Sequence, residues 1–218
     1  MTACQQPPSY TSMQASFVDK FDRPDTDLGL GAGWDMRGGY VDGFPLPPAT
    51  DGYIRDGRYT YSGNSVVYAA RQMRGTVKRM GTVGSWRRVA AGDGETTMTM
   101  AITPNDLLVS DMVHFSVNRS VWELTVRRGA GFEPVAEGRF SPTLALDRDY
   151  RFDLEVSGDS VTVRVPGEQI TTDVDTTGLL GDRVFWEQYP SPVPSVVVFD
   201  YDTVWAVEDG QPLVSIAD

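Results

Sequence analysis

The chain has 218 residues, of which 40% are hydrophobic and 11% aromatic, enough apolar surface to build one folded domain. Lysine and arginine number 19 against 30 aspartates and glutamates, and the net charge of -11 makes the average surface repel nucleic-acid phosphates and anionic lipids. The single cysteine, Cys4, excludes an intrachain disulfide, and the single histidine excludes a metal site built from several histidines. We therefore expect no nucleic-acid partner and a fold that depends on packing alone.

The first fifteen residues are polar and contain Gln5, Gln6, Pro7 and Pro8. A segment of this composition has little to bury, so it predicts an extended N-terminal arm over residues 1–15, followed by one domain over residues 16–218. The segment lacks the basic start and apolar run of a signal peptide, and no run of roughly 18 apolar residues occurs anywhere in the chain. We expect synthesis in a cytoplasm, no signal peptide and no membrane insertion.

From residue 16 onward, short runs alternate apolar and polar residues between turn-forming residues, and none has sustained helical periodicity. Asp56-Gly57 predicts one hairpin, and Ser157-Gly158-Asp159 predicts another. We expect the first and last runs to pair and so close the domain. The pattern predicts an all-β fold, a two-sheet antiparallel jelly-roll sandwich of the lectin-like kind. The alternating runs span residues 17–21, 52–55, 58–61, 66–70, 98–102, 113–117, 122–126, 132–140, 150–156, 161–165 and 195–207.

The run from Phe17 to Trp34 resembles the opening of concanavalin A-like, laminin G-like domains in minor tail proteins of actinobacterial phages. Later elements agree with this family in order, namely residues 52–61, 68–71, 150–167, 178–181 and 199–202. The resemblance implies a structural component of the virion tail tip, with the arm contacting other phage tail proteins. It also implies a host cell-surface glycan as ligand and, from the symmetry of tail tips, a homo-oligomer, expected to be a trimer.

The lectin-like fold also hosts glucanases, which need an E-x-D-x-x-E strand to bring two carboxyl groups to about 5 to 5.5 Å. No such run exists, and the nearest pair on one strand face, Asp153 and Glu155, predicts a solvated surface. His114 lies on the polar side of a strand without a nucleophile elbow, which favours an ordinary surface histidine. We expect no catalytic residue and no enzyme. The alternatives are a glycan hydrolase of the same fold and a structural spacer without a ligand.

Glycan binding uses exposed aromatic faces beside polar side chains. The aromatic and basic residues in runs interpreted as loops are therefore candidate glycan contacts: Tyr40, Phe44, Trp86, Arg87, Trp186 and Tyr189. Asp200 and Asp202 are weak candidate ligands for Ca2+, and no other cofactor is expected. Finally, the basic run of Lys78, Arg79, Arg87 and Arg88 predicts a solvated hairpin.

Overall fold

The computed structural model describes residues 13–27, 29–38, 52–61, 66–104, 111–129, 131–190 and 195–216. These residues contain strands and no helix, so within them no helix could cross a membrane. The strands of the first half are β1 Met13–Ala15, β2 Phe17–Asp19, β3 Asp35–Gly38, β4 Gly52–Arg55, β5 Arg58–Tyr61, β6 Val67–Gln72, β7 Val77–Arg88, β8 Gly94–Glu95 and β9 Thr97–Thr103. Those of the second half are β10 Met112–Val117, β11 Val121–Arg128, β12 Gly131–Arg139, β13 Tyr150–Ser157, β14 Ser160–Val165, β15 Glu168–Asp173, β16 Arg183–Tyr189, β17 Ser195–Glu208 and β18 Val214–Ile216.

Two large sheets form the molecule. A seven-stranded sheet has the order β12-β11-β10-β9-β16-β6-β3, and a nine-stranded sheet has the path β15-β14-β13-β7-β17-β5-β4, with β2 and β8 also paired to β17. All pairs are antiparallel except that of the two-residue β8 with β17. The two-sheet sandwich predicted from the sequence is confirmed. A separate small sheet pairs β1 with β18, so residues 13–15 of the predicted arm lie against residues 214–216.

The predicted turns and closure are also present. Asp56 and Gly57 both have positive φ, 51° and 69°, as the two central residues of a tight type I′ hairpin between β4 and β5 require. The β13–β14 hairpin turns at Gly158, which has φ 58°. At the other end of the fold, Val18 in β2 pairs with Trp205 in β17, so the early and late runs do lie side by side.

The core lies between the sheets and is rich in aromatic rings. Trp86 of β7 packs at 4.7 Å from Phe199 and 5.8 Å from Phe152, measured between ring centroids. Buried residues of the seven-stranded sheet, such as Met100 and Phe115, complete this layer from the other side. Burial of such rings removes a large apolar area per residue from water on folding.

The predicted hairpin over residues 78–88 is wrong, because this segment is one continuous twelve-residue strand, β7. Its glycines serve close packing instead of turning. A Cβ on Gly84 would overlap the carbonyl oxygen of Asp200 and lie 2.7 Å from the Phe199 ring. Likewise, a Cβ on Gly81 would overlap the ring of Trp205.

Strand β17 changes face at an irregularity between Tyr201 and Thr203. Before it, Phe199 and Tyr201 point into the core, and after it Val204 and Ala206 do so. Trp205 consequently lies on the other face of the nine-stranded sheet, where the Arg151 guanidinium covers its ring at 4.8 Å. Strict alternation along β17 would place Trp205 on the same face as Phe199, but the bulge between them reverses the side-chain direction.

Candidate functional site

A groove of about 350 Å³ lies on the outer face of the seven-stranded sheet, away from the main core. Its floor is a small apolar cluster that includes Tyr68, Met112 and Phe185, separate from the core between the sheets. The lining residues come from six strands, β6, β9, β10, β11, β12 and β16. They are Tyr68, Thr97, Thr99, Met112, His114, Ser116, Arg127, Phe132, Phe185, Glu187 and Tyr189.

Cross-strand register explains why these residues meet. Glu187 of β16 stands opposite Thr99 of β9, which stands opposite Ser116 of β10. Because residues directly opposite one another in paired strands point to the same face, this row carries its polar side chains into the groove together. The row continues to Tyr68 on one side and to Glu123 on the other.

Glu187 is the acidic residue at the centre of the groove and is only 5% exposed. The Thr99 hydroxyl donates a hydrogen bond to its Oε2 at 2.6 Å. The Tyr201 hydroxyl, from the opposite sheet, donates to the Glu187 carbonyl oxygen at 2.9 Å and so fixes the strand that carries the side chain. A carboxylate that is buried and oriented in this way can accept a hydrogen bond from a ligand hydroxyl or exchange a proton with it.

His114 lies beside Glu187, with its Nε2 3.9 Å from Glu187 Oε2. Its Nδ1 is 3.2 Å from the Thr125 hydroxyl, and its ring makes an edge contact with Phe132 at 5.5 Å. The side chain is 15% exposed. The prediction of an ordinary surface histidine is therefore wrong: the polar side of β10 forms the wall of a groove instead of an open surface.

Two exposed rings stand at the ends of the groove. Tyr189 is 47% exposed and pairs with Thr97, whereas Phe132 is 51% exposed and pairs with Arg127. The Arg127 guanidinium lies over the Phe132 ring at 5.0 Å. Since these pairs belong to different strands and different rows, the rings lie at opposite corners and the polar side chains lie between them.

Of the six predicted glycan contacts, the four that lie within the described residues are not brought together. Tyr40 and Phe44 lie outside the described residues, and only Tyr189 lines the groove. Trp86 and Trp186 are fully buried in the core, which corrects their assignment, because neither ring offers a face to a ligand. Both belong to central strands, Trp86 to β7 and Trp186 to β16, and not to loops.

Arg87 lies on the outer face of the other sheet, where its Nε donates to Asp200 Oδ2 at 2.6 Å. The Thr60 hydroxyl donates a short hydrogen bond to Asp200 Oδ1. Asp202 lies 3.5 Å from the Arg58 guanidinium and accepts from the Thr203 hydroxyl. Both candidate Ca2+ ligands are thus engaged by protein groups, and within the described ranges no three His, Cys, Asp or Glu side chains converge on a common point. The Ca2+ site stays a prediction.

The pair of Asp153 and Glu155 does not form the solvated surface expected from the sequence. Asp153 is buried under Arg151, which binds its Oδ1 and Oδ2 at 3.0 and 2.8 Å. Glu155 accepts from Arg164 at 2.6 Å. Each carboxylate is neutralised by an arginine of its own sheet, so both have structural roles.

Sequence reasoning missed Glu187, Thr99, Phe132 and the role of His114. One signal was present: Thr97, Thr99 and Thr103 alternate with Met98, Met100 and Ile102, which indicates a strand with a polar face. Glu187 gave no comparable signal, because it lies in β16, a central strand in which residues 184–188 are all buried.

Comparisons with known proteins give the fold. No protein-family model and no curated protein matches the chain. An endo-acting O-glycanase of the human gut microbiota, which initiates mucin breakdown, has a similar structure with a TM-score of 0.59 and 11% identity, over 89% of this chain and 99% of that one. The β-glucanase of Bacillus licheniformis is similar with a TM-score of 0.57 and 11% identity, over 92% and 99%. A galectin-like protein of unknown function from Bacillus subtilis has a TM-score of 0.58 and 16% identity, over 92% and 100%.

Most of the similar structures are glycan hydrolases, and they include a lichenase and the catalytic domain of a Zobellia galactanivorans enzyme. The expectation that the chain is not an enzyme, which depended on the absence of the glucanase motif, is therefore wrong. Hydrolases that are only 6 to 11% identical to the chain have a similar fold. The chain is a jelly-roll sandwich of the concanavalin and galectin-like kind, a fold that it shares with glycan hydrolases and with a galectin-like protein.

Proposed function

We propose that this protein binds a carbohydrate chain in the groove over the seven-stranded sheet. The observation that carries the proposal is the row of buried and half-buried polar side chains, Glu187, Thr99 and Ser116, set between the exposed rings of Tyr189 and Phe132.

A sugar chain fits the chemistry of this surface. Sugar rings present C–H faces, which pack on aromatic rings, and hydroxyl groups, which need donors and acceptors at fixed positions. The groove supplies both on one sheet face, with a carboxylate, an imidazole and three serine or threonine hydroxyls besides its two exposed rings. An apolar floor with a few convergent polar groups is also the usual make-up of a ligand site.

Binding is tested with the purified protein and a panel of polysaccharides: β-1,3-glucan, β-1,3-1,4-glucan, mucin glycopeptide and actinobacterial cell-wall polysaccharide. Affinity electrophoresis or calorimetry measures the dissociation constant for any that bind. We expect Glu187→Gln and Tyr189→Ala to weaken binding at least tenfold, which corresponds to about 1.4 kcal/mol. Glu123→Gln is the matched control, because Glu123 shares the row but does not line the groove. Equal affinity in all four proteins would place the ligand elsewhere.

Hydrolysis of the bound glycan is the second candidate, and buried Glu187 favours it as a proton donor to a glycosidic oxygen. Hydrolysis by two carboxyl groups also requires the second one to lie at a defined distance from Glu187. Glu123, in the same row, is three strands away, so its backbone is about 14 Å from that of Glu187. Two-carboxylate hydrolysis needs about 5 to 9.5 Å, so the second group would have to be His114 or a water that it orients.

New reducing ends after incubation with the polysaccharides measure this activity. We expect any release to disappear in Glu187→Gln and to persist in Glu123→Gln. Release that survives in Glu187→Gln would exclude this residue as the acid.

The virion setting is a further part of the proposal and depends on the resemblance of residues 17–34 alone. It places the protein at a phage tail tip, as a homo-oligomer held through residues 1–15 by other tail proteins and facing host cell-surface glycan. Mass spectrometry of purified virions tests it, and absence of the protein from intact tails would refute it.

A further inference from the structure

A second cavity, of about 370 Å³, lies at the edge of the sandwich near the start of the domain. Arg71 of β6 stands opposite Val184, a core residue of β16, so its side chain points to the space between the sheets and away from the groove. Residues 17–23, residues 30–34 and strand β6 form the walls. The lining residues are Phe17, Asp19, Arg23, Leu30, Gly31, Ala32, Trp34 and Arg71.

The Arg71 guanidinium is the unusual group in this cavity. Its Cζ lies 4.1 Å from the Phe17 ring centroid and 5.8 Å from that of Trp34. A Cβ on Gly33 would lie 2.9 Å from Arg71 Nη1, so the backbone there approaches the guanidinium closely. Among the residues described, no carboxylate lies within 4.0 Å of this cation. Five N–H donors are thus held by aromatic stacking without a matching acceptor.

The nearest carboxylate is already saturated. Asp19 accepts two hydrogen bonds from Arg23, at 2.7 and 3.0 Å, and one each from the Phe21 backbone N–H and Trp34 Nε1, both at 2.9 Å. These four bonds use both oxygens and cancel the charge of Arg23. Of the three charged side chains in the cavity, the charge on Arg71 remains unmatched.

Glu208, the next acid, is also engaged elsewhere. Its Oε2 accepts from the backbone N–H groups of Arg74 and Gly75, at 2.5 and 2.9 Å. Burial lowers the pKa of Arg71, although Asp19 and Glu208 act in the opposite direction. A guanidinium that has lost part of its water shell without gaining an anion is costly to hold, and an anionic ligand would offset that cost.

We propose that the Arg71 cavity binds the carboxylate group of a small organic ligand. The planar guanidinium matches a carboxylate in a bidentate geometry. One unmatched positive charge suits a singly charged anion better than a phosphate dianion. The apolar walls of Phe17, Leu30 and Ala32 favour a carboxylate on a carbon frame over an inorganic ion. This proposal does not depend on glycan binding in the groove.

The test follows the Trp34 indole N–H by two-dimensional NMR, assigned with Trp34→Phe, because this N–H binds Asp19 next to the guanidinium. The probes are glucuronate, acetate, inorganic phosphate and, as the neutral counterpart of glucuronate, glucose. We expect saturable shifts with glucuronate and with acetate, and none with glucose. Tighter binding of glucuronate would identify a sugar acid, whereas equal affinities would show that the carboxylate alone is recognised.

Arg71→Met should weaken glucuronate binding at least tenfold, and Arg71→Lys, which keeps the charge but loses the planar fork, at least threefold. Arg74→Met is the matched control, an exposed arginine outside the cavity, and should bind as the wild type does. If Arg71→Met fails to fold, Arg71→Lys carries the comparison. The proposal is overturned by a wild-type protein that gives no saturable shift with either carboxylate, by phosphate binding as tightly as glucuronate, or by unchanged affinity in the Arg71 variants.

Discussion

Arg87 was a candidate glycan contact in the sequence, but in the structure it has a structural role, and a stability measurement distinguishes the two roles. In the fold, its guanidinium holds Asp200, whose side chain is 6% exposed, at 2.6 Å, while the arginine itself is 42% exposed. Removing one partner of a fully buried pair costs about 3–5 kcal/mol. Because solvent screens the exposed arginine, we reduce this figure to about 2 kcal/mol for Arg87→Met. For a chain of this size, that loss lowers the melting temperature by about 4–8 °C.

A double-mutant cycle with Asp200→Asn isolates the pair. Urea unfolding of the wild type, Arg87→Met, Asp200→Asn and the double variant should give a coupling free energy of about 1–2 kcal/mol. Arg88→Met is the control, since Arg88 is exposed and its guanidinium donates to the carbonyl oxygen of Gly92 instead of to a buried carboxylate. A coupling below about 0.5 kcal/mol, or an equal loss in Arg88→Met, would refute the structural assignment and restore Arg87 as a candidate for ligand binding.

Three further perturbations test the packing and the charges. Gly84→Ala should destabilise by about 1–3 kcal/mol or more in urea unfolding, because its Cβ meets Asp200 and Phe199, whereas Gly131→Ala, whose nearest neighbour is 4.0 Å away, should be nearly neutral. Although burial alone raises the pKa of Asp19, its hydrogen bonds hold this pKa below the ordinary value. Wild type should therefore exceed Asp19→Asn in stability at pH 7, and the difference should shrink as the pH falls below about 4, while a constant difference would contradict the assignment. Burial raises the pKa of Glu95 despite its bonds to Arg119, so its charge opposes folding at neutral pH. Glu95→Gln should gain stability relative to wild type at pH 7 but not at pH 4, and a gain that is the same at both values would exclude ionisation as the cause.

The fold was predictable because its local signals are repeated and consistent. The β13–β14 hairpin shows clean alternation, since one face of each strand is wet and the other lies in the core. Closure of the domain followed from two apolar runs at its ends, and β2 does pair with β17. The local sequence pattern gave a wrong prediction in β7, where glycines allow close packing and do not form a turn. It is also misleading in β17, where a bulge after Tyr201 reverses the side-chain direction.

The groove was hidden for a different physical reason. Alternation marks a strand only when one face meets water, but β16 is buried on both faces, and residues 184–188 are all buried. The sequence around Glu187 therefore shows no alternation of polar and apolar residues, and it does not indicate to which face of the sheet the Glu187 side chain points. Its neighbours Thr99 and Ser116 belong to other strands, and only the register brings them beside it.

A sequence motif of acidic residues cannot report a site of this kind. A motif tests whether carboxyl groups recur along one strand, whereas the groove is built across strands, one residue from each. In the row from Glu187 to Glu123, neighbouring strands are about 4.8 Å apart. Two catalytic side chains can therefore cooperate directly only when they lie on neighbouring or next-nearest strands. Glu187 and His114 meet this condition, because β9 alone separates their strands and their side chains approach to 3.9 Å. If the groove performs proton transfer as well as binding, this pair is where it occurs, and Glu123 takes no part in it.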